Sequence, residues 1–126
     1  MVNDDYGHLV GDACIKSVAD VIKKCVLRPQ DSVSRFGGEE FVILLPDTPR
    51  EGAHQVASKI LKSVASEKVK YEELNLNMTV SIGIAIKNPT YNKETPEALL
   101  EKADVALYKA KNAGRNCIIE YEASKA

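Results

Sequence analysis

Ser34-Arg35-Phe36-Gly37-Gly38-Glu39-Glu40-Phe41-Val42-Ile43-Leu44-Leu45-Pro46 places two glycines and two glutamates between an Arg-Phe pair and an apolar run. Extended-favouring residues on either side of a short Gly-containing link predict a β-hairpin, with arms over 32–36 and 41–45. Gly37 and Gly38 give the turn its positive-φ freedom and, lacking Cβ atoms, let a ligand lie against the backbone. Glu39 and Glu40 then stand at or beside the tip. Two adjacent carboxylates on a hairpin suit a hard cation such as Mg²⁺, which takes oxygen ligands and shares them with phosphate. A solvated turn could use the same four residues, so the rest of the chain decides between the two readings. The second arm is apolar on both faces, as in a strand covered on both sides.

The 126 residues are enough for one domain with one core. A hydrophobic fraction of 44% and a charged fraction of 28% are those of an ordinary globular protein. The net charge of -1 lacks the basic excess of a duplex-binding domain, so nucleic acid is not an expected partner. No apolar run is long enough to span a bilayer and no secretory leader is evident, so no membrane contact is expected from this domain. Cys14, Cys25 and Cys117 show neither CxxC nor Cys/His spacing, which argues against a disulfide framework or a zinc site. They are expected as small buried thiols in a reducing, cytoplasmic setting.

Residues 1–9 read as a polar loop, and an abrupt start of this kind is expected of a domain lacking its first element. Ile15, Val18, Ala19, Ile22 and Val26 recur at helical spacing and predict a helix over about 10–27, with Asp12 in its first turn. Pro29 ends it. Thr48-Pro49-Arg50-Glu51 predicts a helix start with Thr48 as N-cap, Pro49 first in the helix and Glu51 closing a capping box. Ala53, Val56, Ala57, Ile60, Leu61 and Val64 carry that helix to about Ser66. Leu74 to Ile86 alternates with period two, a long strand with one buried face and a possible break in the middle. Thr95-Pro96-Glu97 opens a third helix by the same logic, Gly114 stops it, and 116–121 read as a last strand. The order helix, hairpin, helix, strand, helix, strand predicts an α+β or α/β sandwich domain over 1–126.

Several blocks in order resemble the GGDEF domains, the diguanylate cyclases. They are Asn3-Asp4-Asp5-Tyr6-Gly7-His8-Leu9-Val10-Gly11-Asp12, the 28–31 segment, Arg35 to Phe41, Thr79 to Ala85, and Ala103 to Asn116. GGEEF in place of GGDEF keeps both carboxylates. The resemblance implies a mostly antiparallel central sheet with packed helices, similar to the palm of nucleotidyl cyclases, missing its first strand here. It implies condensation of two GTP into cyclic di-GMP with release of pyrophosphate, in a homodimer whose two domains face each other. Glu39 would ligate Mg²⁺ (or Mn²⁺), with Glu40 as its supporting neighbour, and Gly37 and Gly38 would leave room for the nucleotide. Asn3 and Asp12 match the family's guanine readers; an amide and a carboxylate suit an edge offering one acceptor and two donors. Lys111 and Arg115 match the holders of the terminal phosphates, and their i, i+4 spacing predicts one helical face. Arg28-x-x-Asp31, separated from Gly37 by five residues, matches the product-inhibition site for cyclic di-GMP.

The family carries a strand and a further metal-binding Asp before the position of Asn3. The chain as written is therefore expected not to turn over GTP itself, although a longer parent would. The alternative function is a silent module that senses cyclic di-GMP or GTP. His8 is expected to hold its loop by a local hydrogen bond, and His54, Lys102 and Lys109 to be solvated. Tyr108 is expected to be packed, and Asp104 to bond neighbouring backbone.

Overall fold

The structure is a computed structural model that describes residues 4–37, 40–87 and 94–122. It is an α+β chain in the order α1 (Asp4–Cys25), β1 (Ser32–Gly37), β2 (Glu40–Leu44), α2 (Arg50–Ser66), β3 (Lys68–Tyr71), β4 (Leu74–Asn77), β5 (Ile82–Ile84), α3 (Pro96–Asn112) and β6 (Ile118–Glu120). The chain divides into two compact units, 1–78 and 79–126.

In the first unit the apolar stripes of two helices supply most of the core. Val21, Ile22 and Cys25 of α1 are buried, as are Ala53, Ala57, Ile60 and Val64 of α2, with Val69 of β3 and Met78. Helix α1 begins at Asp4, earlier than the periodicity of its apolar residues indicated. Asp12 consequently lies two turns into the helix rather than in its first turn. β1 and β2 form the expected antiparallel hairpin. Its second arm is not covered on both faces. Phe41 to Ile43 are only half-buried, and Leu44 is exposed, because this sheet has two strands among the described residues.

The period-two stretch after α2 is divided between two pairings. β4 pairs antiparallel with β3, whereas β5 pairs parallel with β6. β3 had no counterpart in the sequence reading. Its two-residue turn is Glu72-Glu73, with Glu72 at φ 55°, so the positive φ of a hairpin turn falls on a residue that does not advertise it.

The second unit is a β5–α3–β6 crossover, in which α3 joins two parallel strands. Thr95 caps α3 as predicted, its hydroxyl accepting from the Ala98 amide at 3.1 Å, and Pro96 is the first helical residue. Ala106 and Ala110 are wholly buried, and Ile84 is buried beside them. Small residues let α3 approach β5 closely. A Cβ on Gly83 would overlap the Ala103 carbonyl oxygen and the Leu107 amide nitrogen. The helix closes in a Schellman turn: the Arg115 amide bonds the Ala110 carbonyl at 3.0 Å and Gly114 takes φ 110°.

Candidate functional site

The hairpin tip is set by register. Arg35 pairs with Phe41 and Gly37 with Glu40, so Phe36 is the extra residue of a bulge and stands 62% exposed. Gly38 and Glu39 lie outside the described residues, as does Asn3. Glu40 is exposed at the first position of β2. Among the described residues no group of three His, Cys, Asp or Glu could enclose a metal. A cation at this tip would draw one or two carboxylates from the chain and its remaining oxygens from a phosphate ligand, a donor set that suits Mg²⁺.

Behind the tip, a cleft of about 500 Å³ lies between α1 and the hairpin. Asp12, Ile15, Lys16, Ala19 and Lys23 line it from one stripe of α1, and Val33, Arg35 and Phe41 from the hairpin. Its lining combines four apolar side chains with one carboxylate and three cations. That combination accepts a flat, polar-edged ring attached to an anionic group. The sequence reading singled out Asp12 here and took Ile15 and Ala19 for core. The i, i+3, i+4, i+7, i+11 spacing that includes Lys16 and Lys23 was the available signal.

At the other end of the hairpin, Arg28 and Asp31 form a bidentate pair. Arg28 Nε donates to Asp31 Oδ2 at 2.9 Å and Nη2 donates to Oδ1 at 2.6 Å. The second N–H of Nη2 is shared between the Pro46 carbonyl at 2.9 Å and the Thr48 hydroxyl at 2.5 Å. Thr48 in turn donates to the Pro46 carbonyl at 3.0 Å. Arg28 therefore braces the turn before β1 against the turn after β2. The hydrogen bond between the partners, more than their simple charge attraction, raises the Arg28 pKa and lowers that of Asp31, with desolvation opposing both shifts.

This brace overturns the predicted start of α2. Thr48 does not cap the helix; Pro49 is the N-cap, no side chain caps it, and the helix begins at Arg50. The capping box with Glu51 is therefore not formed. Thr48 itself was missed as a site residue, because the cap motif explained it locally.

Lys111 and Arg115 belong to the second unit. They do not share a helical face, since α3 ends at Asn112 and Arg115 follows in a left-handed turn at φ 64°. Non-glycine residues seldom adopt that conformation. Lys102 is not merely solvated: it pairs with Glu94 and sits 5.7 Å from the centre of the Tyr121 ring. His54 is half-buried and engaged, Tyr108 is 68% exposed rather than packed, and Asp104 is exposed without a hydrogen bond to a described residue. The side chain of His8 lies outside what is described. All three cysteines are free, with Cys25 buried and the others half-buried. No helix among the described residues is long and apolar enough to cross a membrane.

The profile of a family described as "Diguanylate cyclase, GGDEF domain" matches residues 1–117. Diguanylate cyclase A of Treponema denticola is 41% identical over 115 residues, which are 91% of this chain and 30% of that protein. The chain spans well under half the length of the curated relatives it matches. The crystal structure of the GGDEF domain of DgcB from Caulobacter crescentus in complex with c-di-GMP superposes with TM-score 0.84 at 34% identity, covering 96% of this chain and 70% of that one. The active GGEEF domain of a diguanylate cyclase from Vibrio cholerae superposes with TM-score 0.76 at 28% identity, covering 98% and 76%.

Proposed function

The chain belongs to the GGDEF family of diguanylate cyclase domains, and from that premise we propose that it is the catalytic domain of a protein that condenses two GTP molecules into cyclic di-GMP. The observation that carries the proposal is the cleft between α1 and the hairpin, which Asp12 lines together with apolar side chains and the cations Lys16, Lys23 and Arg35. Guanine presents its N1–H and N2–H donors side by side, and one carboxylate accepts both. Asn3 would serve the O6 acceptor of the same ring. Lys111 and Arg115 would hold the terminal phosphates, one as a point charge and one as a fork. Gly37 and Gly38, without side chains, would let the ribose and phosphates lie against the turn.

The reaction needs two copies of the domain face to face. Each 3′-oxygen bonds to the α-phosphorus of the partner's GTP, each hydroxyl gives up its proton, and two pyrophosphates leave. Held at Glu39, with Glu40 beside it, Mg²⁺ (or Mn²⁺) would supply positive charge to the phosphates and lower the pKa of the attacking hydroxyl. We read residues 1–126 as one such domain, acting in the cytoplasm, where free cysteines stay reduced. Cyclic di-GMP would return to Arg28 and Asp31 as inhibitor; the relative from C. crescentus was solved with this dinucleotide bound.

A second reading, a module that binds cyclic di-GMP without turnover, draws on the intact Arg28–Asp31 pair. Turnover separates the two. The full-length protein carrying this domain is incubated with GTP and Mg²⁺, and cyclic di-GMP is followed by chromatography. Product is expected from the wild type and on the order of a hundredfold less from Glu39→Ala. GTP left intact by the wild type would overturn the cyclase reading.

A further inference from the structure

We propose that Thr48 is a positioning residue for the cyclic di-GMP site, holding Arg28 so that the Nη1 end of its guanidinium stays open to the ligand. The inference rests on the reading of Arg28 and Asp31 as that site. Arg28 has five N–H bonds in a rigid plane. Nε and Nη2 are committed to Asp31, Pro46 and Thr48, and Nη1 makes no hydrogen bond to a described residue. The Arg28 side chain remains 41% exposed, whereas that of Asp31 is 4% exposed. One edge is thus anchored and the other is open.

An arginine in this state presents the N–H bonds of Nη1 to guanine O6 or N7 or to a phosphodiester oxygen, and a flat face for a base to stack on. A free arginine would lose most of its rotamer freedom on binding; one already fixed loses little. Asp31 alone could fix the plane only relative to its own turn. Thr48 and the Pro46 carbonyl add a second anchor from the far side of the hairpin, twenty and eighteen residues along the chain from Arg28. The hydroxyl is the adaptable part of that anchor, since it accepts from Arg28 while donating to Pro46. It does so in place of capping α2.

The test is calorimetric titration with cyclic di-GMP of the wild type, Thr48→Val, Thr48→Ser, Thr95→Val and Arg28→Ala, each also melted thermally. Arg28→Ala is expected to abolish binding. Thr48→Val keeps the shape and loses the acceptor, and is expected to bind about three- to tenfold more weakly. Thr48→Ser restores the acceptor and is expected to bind within about twofold of wild type. Thr95→Val uncaps the other helix and controls for stability; it is expected to lower the melting temperature without changing affinity. Thr48→Val binding like wild type, or Thr95→Val weakening binding equally, would overturn the role of Thr48 while leaving the site in place. Binding that survives Arg28→Ala would overturn the site itself, and the inference with it. Should Thr48→Val not fold, Thr48→Ala carries the same expectations.

Discussion

Thr48-Pro49 and Thr95-Pro96 are the same dipeptide, each just before or at the start of a 17-residue helix. At α3 the threonine caps the helix, and the start is decided within four residues. At α2 the threonine hydroxyl is taken by an arginine twenty residues earlier, and the helix starts one residue later without a side-chain cap. A cap is worth about 1 kcal/mol, and a hydrogen bond to a charged donor about 1.5–3 kcal/mol. The charged donor therefore wins wherever it comes within reach. A local motif is reliable only until a stronger partner arrives from elsewhere in the chain.

The contrast can be broken at several points. The largest effect is expected from Gly83→Ala, which forces a Cβ into the backbone of α3. It should cost about 3 kcal/mol in chemical denaturation, because rigid backbone cannot yield as a side-chain tip would. That result would show that α3 takes its start from its own sequence but its seat from β5. Next comes Thr95→Ala, expected to cost about 1 kcal/mol by the same measurement.

The smallest effect concerns pH. Asp31 titrates below its ordinary value of 3.8, foremost because Arg28 donates to it. A carboxylate with a lowered folded pKa contributes its stability above the unfolded value and loses it as pH falls through the folded one. The clamp should therefore be intact above pH 3.8 and release only below it. An NMR titration of the Asp31 carboxyl carbon should give a midpoint below 3.8, moving back up in Arg28→Ala.

Much of the fold was legible because it is written in local pattern. The hairpin arms, the three helices, the α3 cap and the Gly114 stop all follow from spacing and turn chemistry. What was not legible depended on distant partners. Leu74 to Ile86 shows one uninterrupted alternation, yet its two halves pair with different strands in different units. β3 hid behind a turn without glycine or asparagine. Asp12, Arg28 and Asp31 could be picked out by resemblance, but Lys16 and Lys23 were not singled out, since only the hairpin opposite them makes them part of a cleft. Arg115 was also matched by resemblance, but the shared helical face predicted for it and Lys111 assumed a helix that ends three residues earlier.

The most direct measurement is a paired one: cyclic di-GMP affinity and unfolding free energy, both taken on Thr48→Ala and Thr95→Ala. The two substitutions are chemically identical and remove the same hydroxyl before the same proline. Thr48→Ala should weaken cyclic di-GMP binding about three- to tenfold, and Thr95→Ala should leave it unchanged while lowering stability by about 1 kcal/mol. Two variants that lose stability alike and bind alike would contradict the account.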